Sequence, residues 1–126
     1  MAIPTSIKTL LSGDVVEWAR IEFKETWDAA ASLKSICAFA NDLDNWGGGY
    51  IVIGVQEENG RPAYPLKGVP TDKLDAYQKN IFAKCKLLRP TYTPIIGIET
   101  YQDKQFIVIW CPGGDNRPYS SPKTME

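Results

Sequence analysis

The sequence predicts an α/β (α+β) fold in which two main helices pack on a mixed sheet. Three observations predict it. Between Ser32 and Asn59, apolar residues at Leu33, Ile36, Cys37, Ala40 and Leu43 form a helical stripe. That stripe runs through Gly47, Gly48 and Gly49 into Tyr50 to Val55, which is apolar at both parities, the mark of a strand covered on both faces. A second stripe at Leu74, Tyr77, Ile81, Phe82, Cys85 and Leu88 marks another helix, and two apolar runs near the end read as paired strands.

Taken in order, Ser6 to Ser12 is a short helix with Ile7, Leu10 and Leu11 on one side, ended by Gly13. Val15 to Lys24 alternates as a strand, with Ile21 and Phe23 on the apolar parity. Glu17 falls on that same parity, which gives it a frayed end or a special place. Asp28 caps the first main helix, which stops between Asn41 and Trp46. Glycine then turns the chain, because it enters positive φ freely. The polar Gln56 to Gly60 ends the central strand, and the proline-interrupted 61–68 is at most a short edge strand. Thr71 is the expected N-cap of the second helix, which runs to about residue 88 and is ended by Arg89-Pro90. Tyr92 to Tyr101 and Lys104 to Cys111 are strands joined by Gln102-Asp103, a pair that lacks the preferred glycine and leaves the turn type open. Phe106 to Trp110 is apolar on both faces and interior. From Pro112 onward the composition suits a linker or an extended edge segment. The order is helix, strand, helix, strand, weak strand, helix, strand, strand.

At 126 residues, with 44% hydrophobic and 23% charged, the chain is one soluble domain with room for a core. No apolar run reaches the roughly 20 residues needed to span a bilayer, and the N-terminus lacks signal-peptide features. Cys37, Cys85 and Cys111 sit among apolar neighbours without a CxxC spacing, as reduced core thiols of a cytoplasmic protein do. Histidine is absent, which excludes Ser-His-Asp and Cys-His triads, a histidine base and histidine-ligated zinc. Chemistry would fall to carboxylates, lysines, tyrosines or a hard metal held by oxygens. A net charge of −1 counts mildly against nucleic-acid binding, which leans on basic surfaces.

The segments IEFKE at 21–25, ICAFAND at 36–42, GGGYIVIGVQEENG at 47–60 and IVIWCPGGDNRPY at 107–119 together resemble the Schlafen Alba-like family (AlbA_2, also called divergent AAA-4). The resemblance spans about residues 14–119 and implies an Alba-like β-α-β-α-β-β topology with extra strands. It implies DNA or RNA as partner, and a place as the N-terminal module, residues 1–119, of a bacterial transcriptional regulator or ATP-binding protein. Residues 120–126 then read as a linker toward a further C-terminal domain. The nucleic-acid-binding candidates are Arg20, Lys24, Trp46, Lys79, Lys84, Lys86 and Arg117, with Trp27 and Tyr119 as further stacking surfaces. Lysines along a helix face are more often only solubilising, and tryptophans beside strands are more often core.

In some Schlafen members the resemblance also implies RNA cleavage by three carboxylates around Mg or Mn. Two of them match Glu17 and Glu22; the third position, often Asp in the family, is Gln56 here, with Glu57 beside it. An amide is a poor metal ligand and no base. Glu17 and Glu22 also fall on opposite faces of a regular strand. The leading expectation is therefore a regulatory binding module without a cofactor or catalysis of its own. A metal-dependent endoribonuclease using Glu17, Glu22 and Glu57 is the first alternative, and a homodimerising or protein-interaction module the second. The glycine turn is architectural: it leads from a helix into a strand, the reverse of a phosphate loop, and the chain has no Walker sequence.

Overall fold

Gly49–Ile53 is buried at every position, because it lies inside a four-stranded sheet with helices on both sides. The computed structural model describes residues 3–12, 20–43, 45 and 47–122. Its elements are α1 (Ile7–Ser12), β1 (Arg20–Lys24), α2 (Ala29–Asn41), β2 (Gly49–Ile53), β3 (Glu57–Glu58), β4 (Arg61–Pro62), α3 (Thr71–Cys85), β5 (Ile95–Tyr101) and β6 (Lys104–Cys111). The sheet order is β1-β2-β6-β5. β1 runs parallel to β2, with Glu22 level with Ile51 and Lys24 with Ile53. β6 runs antiparallel to both β2 and β5, so the sheet is mixed, as expected.

Alternation along the strands divides the core in two. On one face, Leu33, Ile36 and Ala40 of α2 and Leu74, Ile81 and Cys85 of α3 close over Ile51, Ile53, Ile107 and Ile109. On the other, Ile7, Leu10 and Leu11 of α1 cover Phe23, Tyr50, Val52, Phe106 and Val108. Each leucine, isoleucine, valine or phenylalanine among them contributes about 1.5–3 kcal/mol by leaving water. The three thiols are buried and unbridged. Burial raises the pKa of all three, that of Cys85 to about 11, which leaves them protonated and inert.

Several boundaries differ from those read in the sequence, each for a local reason. Asp28 does cap α2, accepting the Ala31 N–H at 3.4 Å. The helix stops at Asn41 because Asp42 turns left-handed at φ 43°. Leu43 therefore leaves the stripe and is 87% exposed. Thr71 is the first residue of α3 rather than its cap; Pro70 takes the cap position and brings no side-chain hydrogen bond. α3 ends at Cys85, and two tight turns, Leu87 N–H to Lys84 and Leu88 N–H to Cys85, still deliver Leu88 to the core. Phe82, counted in the stripe, lies at its margin and is exposed, and Trp110 is half-buried rather than interior. The strand expected from Val15 is described from Arg20; Val15 to Ala19, and with them Glu17 and Trp18, lie outside the described residues.

The weak strand is a separate hairpin, β3 against β4, turning through Asn59 (φ 55°) and Gly60 (φ 80°). Gln102 (φ 53°) and Asp103 (φ 62°) make the β5–β6 turn with both central residues at positive φ, which is the type I′ geometry despite the missing glycine.

Gly47 and Gly48 both have positive φ, 87° and 89°. A Cβ on Gly47 would meet open space, whereas one on Gly48 would run into the Cys111 carbonyl. Urea denaturation is therefore expected to show a loss of about 1 kcal/mol for Gly47→Ala, from backbone strain alone, and about 3 kcal/mol or more for Gly48→Ala.

Candidate nucleic-acid interface

Glu22 and Lys24 share one face of β1. The Ser35 hydroxyl of α2 donates to Glu22 Oε2 at 2.6 Å, so the carboxylate ties strand to helix. Lys24 is half-buried at the end of the strand. Its carbonyl accepts the N–H groups of Gly54 and Val55, at 2.7 and 3.1 Å, where the chain leaves β2.

The neighbouring loop carries Lys67, whose ammonium lies 3.5 Å from Glu25, both side chains about half exposed. Such a pair is weak and readily exchanged. Lys67 borders two hollows at the start of α3. One, of about 300 Å³, is lined by Glu25, Thr26, Lys67, Gly68, Lys73 and Tyr77 among others. The other, of about 290 Å³, takes in Thr71, Asp103, Lys104 and Gln105. Lys67, Lys73 and Lys104 thus gather where α3 begins, its first turn without a side-chain cap. Helix N-termini attract anions through their N–H groups and dipole. Glu25 and Asp103, and Asp72 within that first turn, offset much of this charge.

The other sequence candidates are dispersed. Lys79 pairs with Asp75 at 3.0 Å along α3, largely in solvent. Lys84 and Lys86 lie at the far end of that helix. Trp46 lies outside the described residues, and Arg20 is placed by its backbone in β1. Trp27 is no free stacking surface: it packs against the α2/α3 side of the core and donates to Asn80 Oδ1 at 2.6 Å. Tyr119 is buried, its ring edge-on to Tyr92 at 5.3 Å.

Arg117 serves the architecture. Its Nε donates to the Gly114 carbonyl at 2.9 Å and its Nη1 to those of Asn41 and Asp42 at 3.0 and 3.3 Å. It thereby satisfies carbonyls orphaned at the C-terminus of α2. Asn41 completes the clasp: its Nδ2 donates to the Tyr119 carbonyl at 3.1 Å, and the Tyr119 N–H donates to its Oδ1 at 2.6 Å. Ser120 then bridges to Arg89 through two backbone bonds of 2.7 and 3.0 Å. Up to Ser120 the segment is a packed closure rather than a linker.

For the carboxylate alternative, the register sets Glu22 level with Ile51, while Glu57 lies past the end of β2 in the separate, exposed hairpin. No strand pairing brings the two side by side. Among the described residues no group of three His, Cys, Asp or Glu side chains is arranged to hold a metal ion, Glu17 lying outside them.

Lys67 was not singled out from the sequence. Its signal was available, a lysine and glycine just ahead of a helix start, but nothing local says that the loop returns beside Glu25.

A mixed sheet with helices on both faces, and with cations gathered at one helix start, defines an α+β module. The chain belongs to the Schlafen AlbA_2 family, whose model matches residues 17–125. Among solved structures it is similar to the N-terminal domain of an ATP-dependent DNA helicase RecG-related protein from Nitrosomonas europaea, at 28% identity and a TM-score of 0.68, covering 88% of this chain and 75% of that one. It also resembles the DIP2311 protein of Corynebacterium diphtheriae, at 16% identity and a TM-score of 0.56, over 92% of this chain but 23% of that one, a likeness of fold. No protein of curated function matches it.

Asn41→Ala is expected to lower stability by about 1–3 kcal/mol in chemical denaturation, since it strands the Tyr119 N–H and leaves the Tyr119 carbonyl only the weak Cys37 thiol donor. Arg117→Lys is expected to recover little of the loss caused by Arg117→Ala, because an ammonium cannot reproduce the planar fork.

Proposed function

We propose that the chain is a nucleic-acid-binding regulatory module that holds phosphates at the end of the sheet where α3 begins. The observation that carries this reading is the relationship to the RecG-related domain, whose parent is described as DNA-helicase-related. The gathering of Lys67, Lys73 and Lys104 around the first turn of α3, which no side chain caps, supports it and gives the reading a place. Lys24, at the end of the adjacent strand, extends the same surface. Lysines meet phosphate as point charges and supply affinity without sequence readout. With acidic neighbours so close, affinity rests on few contacts and depends steeply on salt.

Fluorescence anisotropy with duplex DNA and with structured RNA tests the reading. A site touching about three phosphates on duplex weakens roughly forty-fold between 50 and 200 mM salt. The double variant Lys67→Ala/Lys73→Ala is expected to weaken binding and reduce the salt slope by about 2, as for two lost phosphate contacts. Lys84→Ala/Lys86→Ala, at the far end of the helix, should leave both unchanged. Absence of binding to either nucleic acid at low salt sinks the proposal; a reversed pattern between the two variants moves the surface to the far end of α3.

A further inference from the structure

The outer edge of β5 is an open row of backbone donors and acceptors whose phase follows from the hairpin. In a two-residue turn of type I′, the flanking pair is hydrogen-bonded, and here that pair is Tyr101 and Lys104. Bonding alternates from there, so Glu99, Gly97 and Ile95 also direct their N–H and C=O groups at β6. Ile96, Ile98 and Thr100 direct theirs away from it. An independent contact fixes the same phase: Gln105, opposite Thr100, sends its carbonyl away from β5 to the Val69 N–H at 2.7 Å. Among the described residues, no strand pairs with this edge and no hydrogen bond engages the outward groups of Ile96, Ile98 or Thr100.

Natural edge strands are protected by prolines, lysines, bulges or shortness. β5 has seven residues, IIGIETY, with no proline or lysine, and it pairs one-to-one with β6 throughout, so no bulge bends it away. Ile98 at its centre is 39% exposed, and Ile95 and Ile96 are half-exposed.

We infer that β5 pairs antiparallel with β5 of a second copy of this chain, about a two-fold axis through Ile98. The strand is complementary to itself in this one register. Ile98 faces Ile98 of the other copy and Ile96 faces Thr100, so every outward N–H and C=O finds a partner. A shift by two residues in either direction would leave some of them unpaired. Charge agrees: Glu99, the one ionisable side chain of the strand apart from Tyr101, faces Gly97, never the other copy's carboxylate. On one surface of the seam Ile96 and Ile98 of both copies form a continuous apolar row; on the other, Tyr101 lies across from Ile95. One strand per copy is a small interface, of the class below roughly 1,200 Å² that associates weakly, so the dimer forms reversibly with concentration. This inference does not depend on the nucleic-acid reading.

Sedimentation equilibrium across a micromolar-to-millimolar series, together with amide hydrogen exchange on the same samples, tests it. The wild-type chain is expected to pass from monomer to dimer, with exchange at Ile96, Ile98 and Thr100 slowing at least tenfold, while Gly97 and Glu99 are protected at every concentration. Ile98→Pro removes an N–H that β6 does not use, so it is expected to keep the fold by circular dichroism and stay monomeric. Ile98→Lys sets like charges together at the axis and is expected to do the same. A wild-type chain that stays monomeric at the highest concentration overturns the inference. So does a dimer in which the Ile96, Ile98 and Thr100 amides exchange as fast as in dilute solution, or one that both variants form as readily as wild type.

Discussion

The rest of the structure depends on one constraint: β2 has no wet face. Tyr50 and Val52 point into one half of the core and Ile51 and Ile53 into the other. A strand buried on both sides needs a layer on each, which requires α1 beneath as well as α2 and α3 above. It also needs both backbone edges paired, since a buried amide without a partner costs about as much as a lost hydrogen bond. β1 and β6 meet that need. Past the strand the same demand continues at Gly54, which donates to Lys24 at 2.7 Å and accepts from Gly68 at 2.8 Å. The loop carrying Lys67 is held beside β1 by this bond, so the charged surface at the start of α3 is a by-product of finishing the central strand.

Most of the architecture was legible in the sequence because it rests on periodicity. The stripe Leu33, Ile36, Cys37, Ala40 and the doubly apolar Tyr50 to Val55 allow one assignment each. The errors fell where a single backbone angle decides. Nothing in the composition around Leu43 says that Asp42 turns left-handed, and that turn separates a buried leucine from an exposed one. Thr71 looked like the cap because threonine is a good one, yet the proline before it already has the required φ of −56°.

The candidate site was legible only in part, because binding surfaces are assembled from distant segments. Lys24, which the proposed surface includes, could be named from its place beside Glu22. Arg117, by its charge alone, looked like a phosphate contact, and only the three-dimensional structure shows three backbone carbonyls around it. Asn41, Gly114 and Tyr119 belong to the same clasp, so the two motifs that carry much of the family resemblance, ICAFAND and CPGGDNRPY, report on how the fold closes. Membership in the family therefore speaks first to architecture.

The Asn41–Tyr119 clasp joins positions 78 residues apart. Bringing such distant segments together costs chain entropy before any contact repays it. The Asn41 and Asp42 carbonyls consequently gain their Arg117 partner only when a distant segment folds back, whereas Asp28 caps the first turn from the adjoining residue. During synthesis, that turn waits with its carbonyls in water until almost the whole domain has emerged. The order of chain growth is thus written into the helix: its first turn, capped by Asp28, needs no distant partner, whereas the partners of its last carbonyls are made much later.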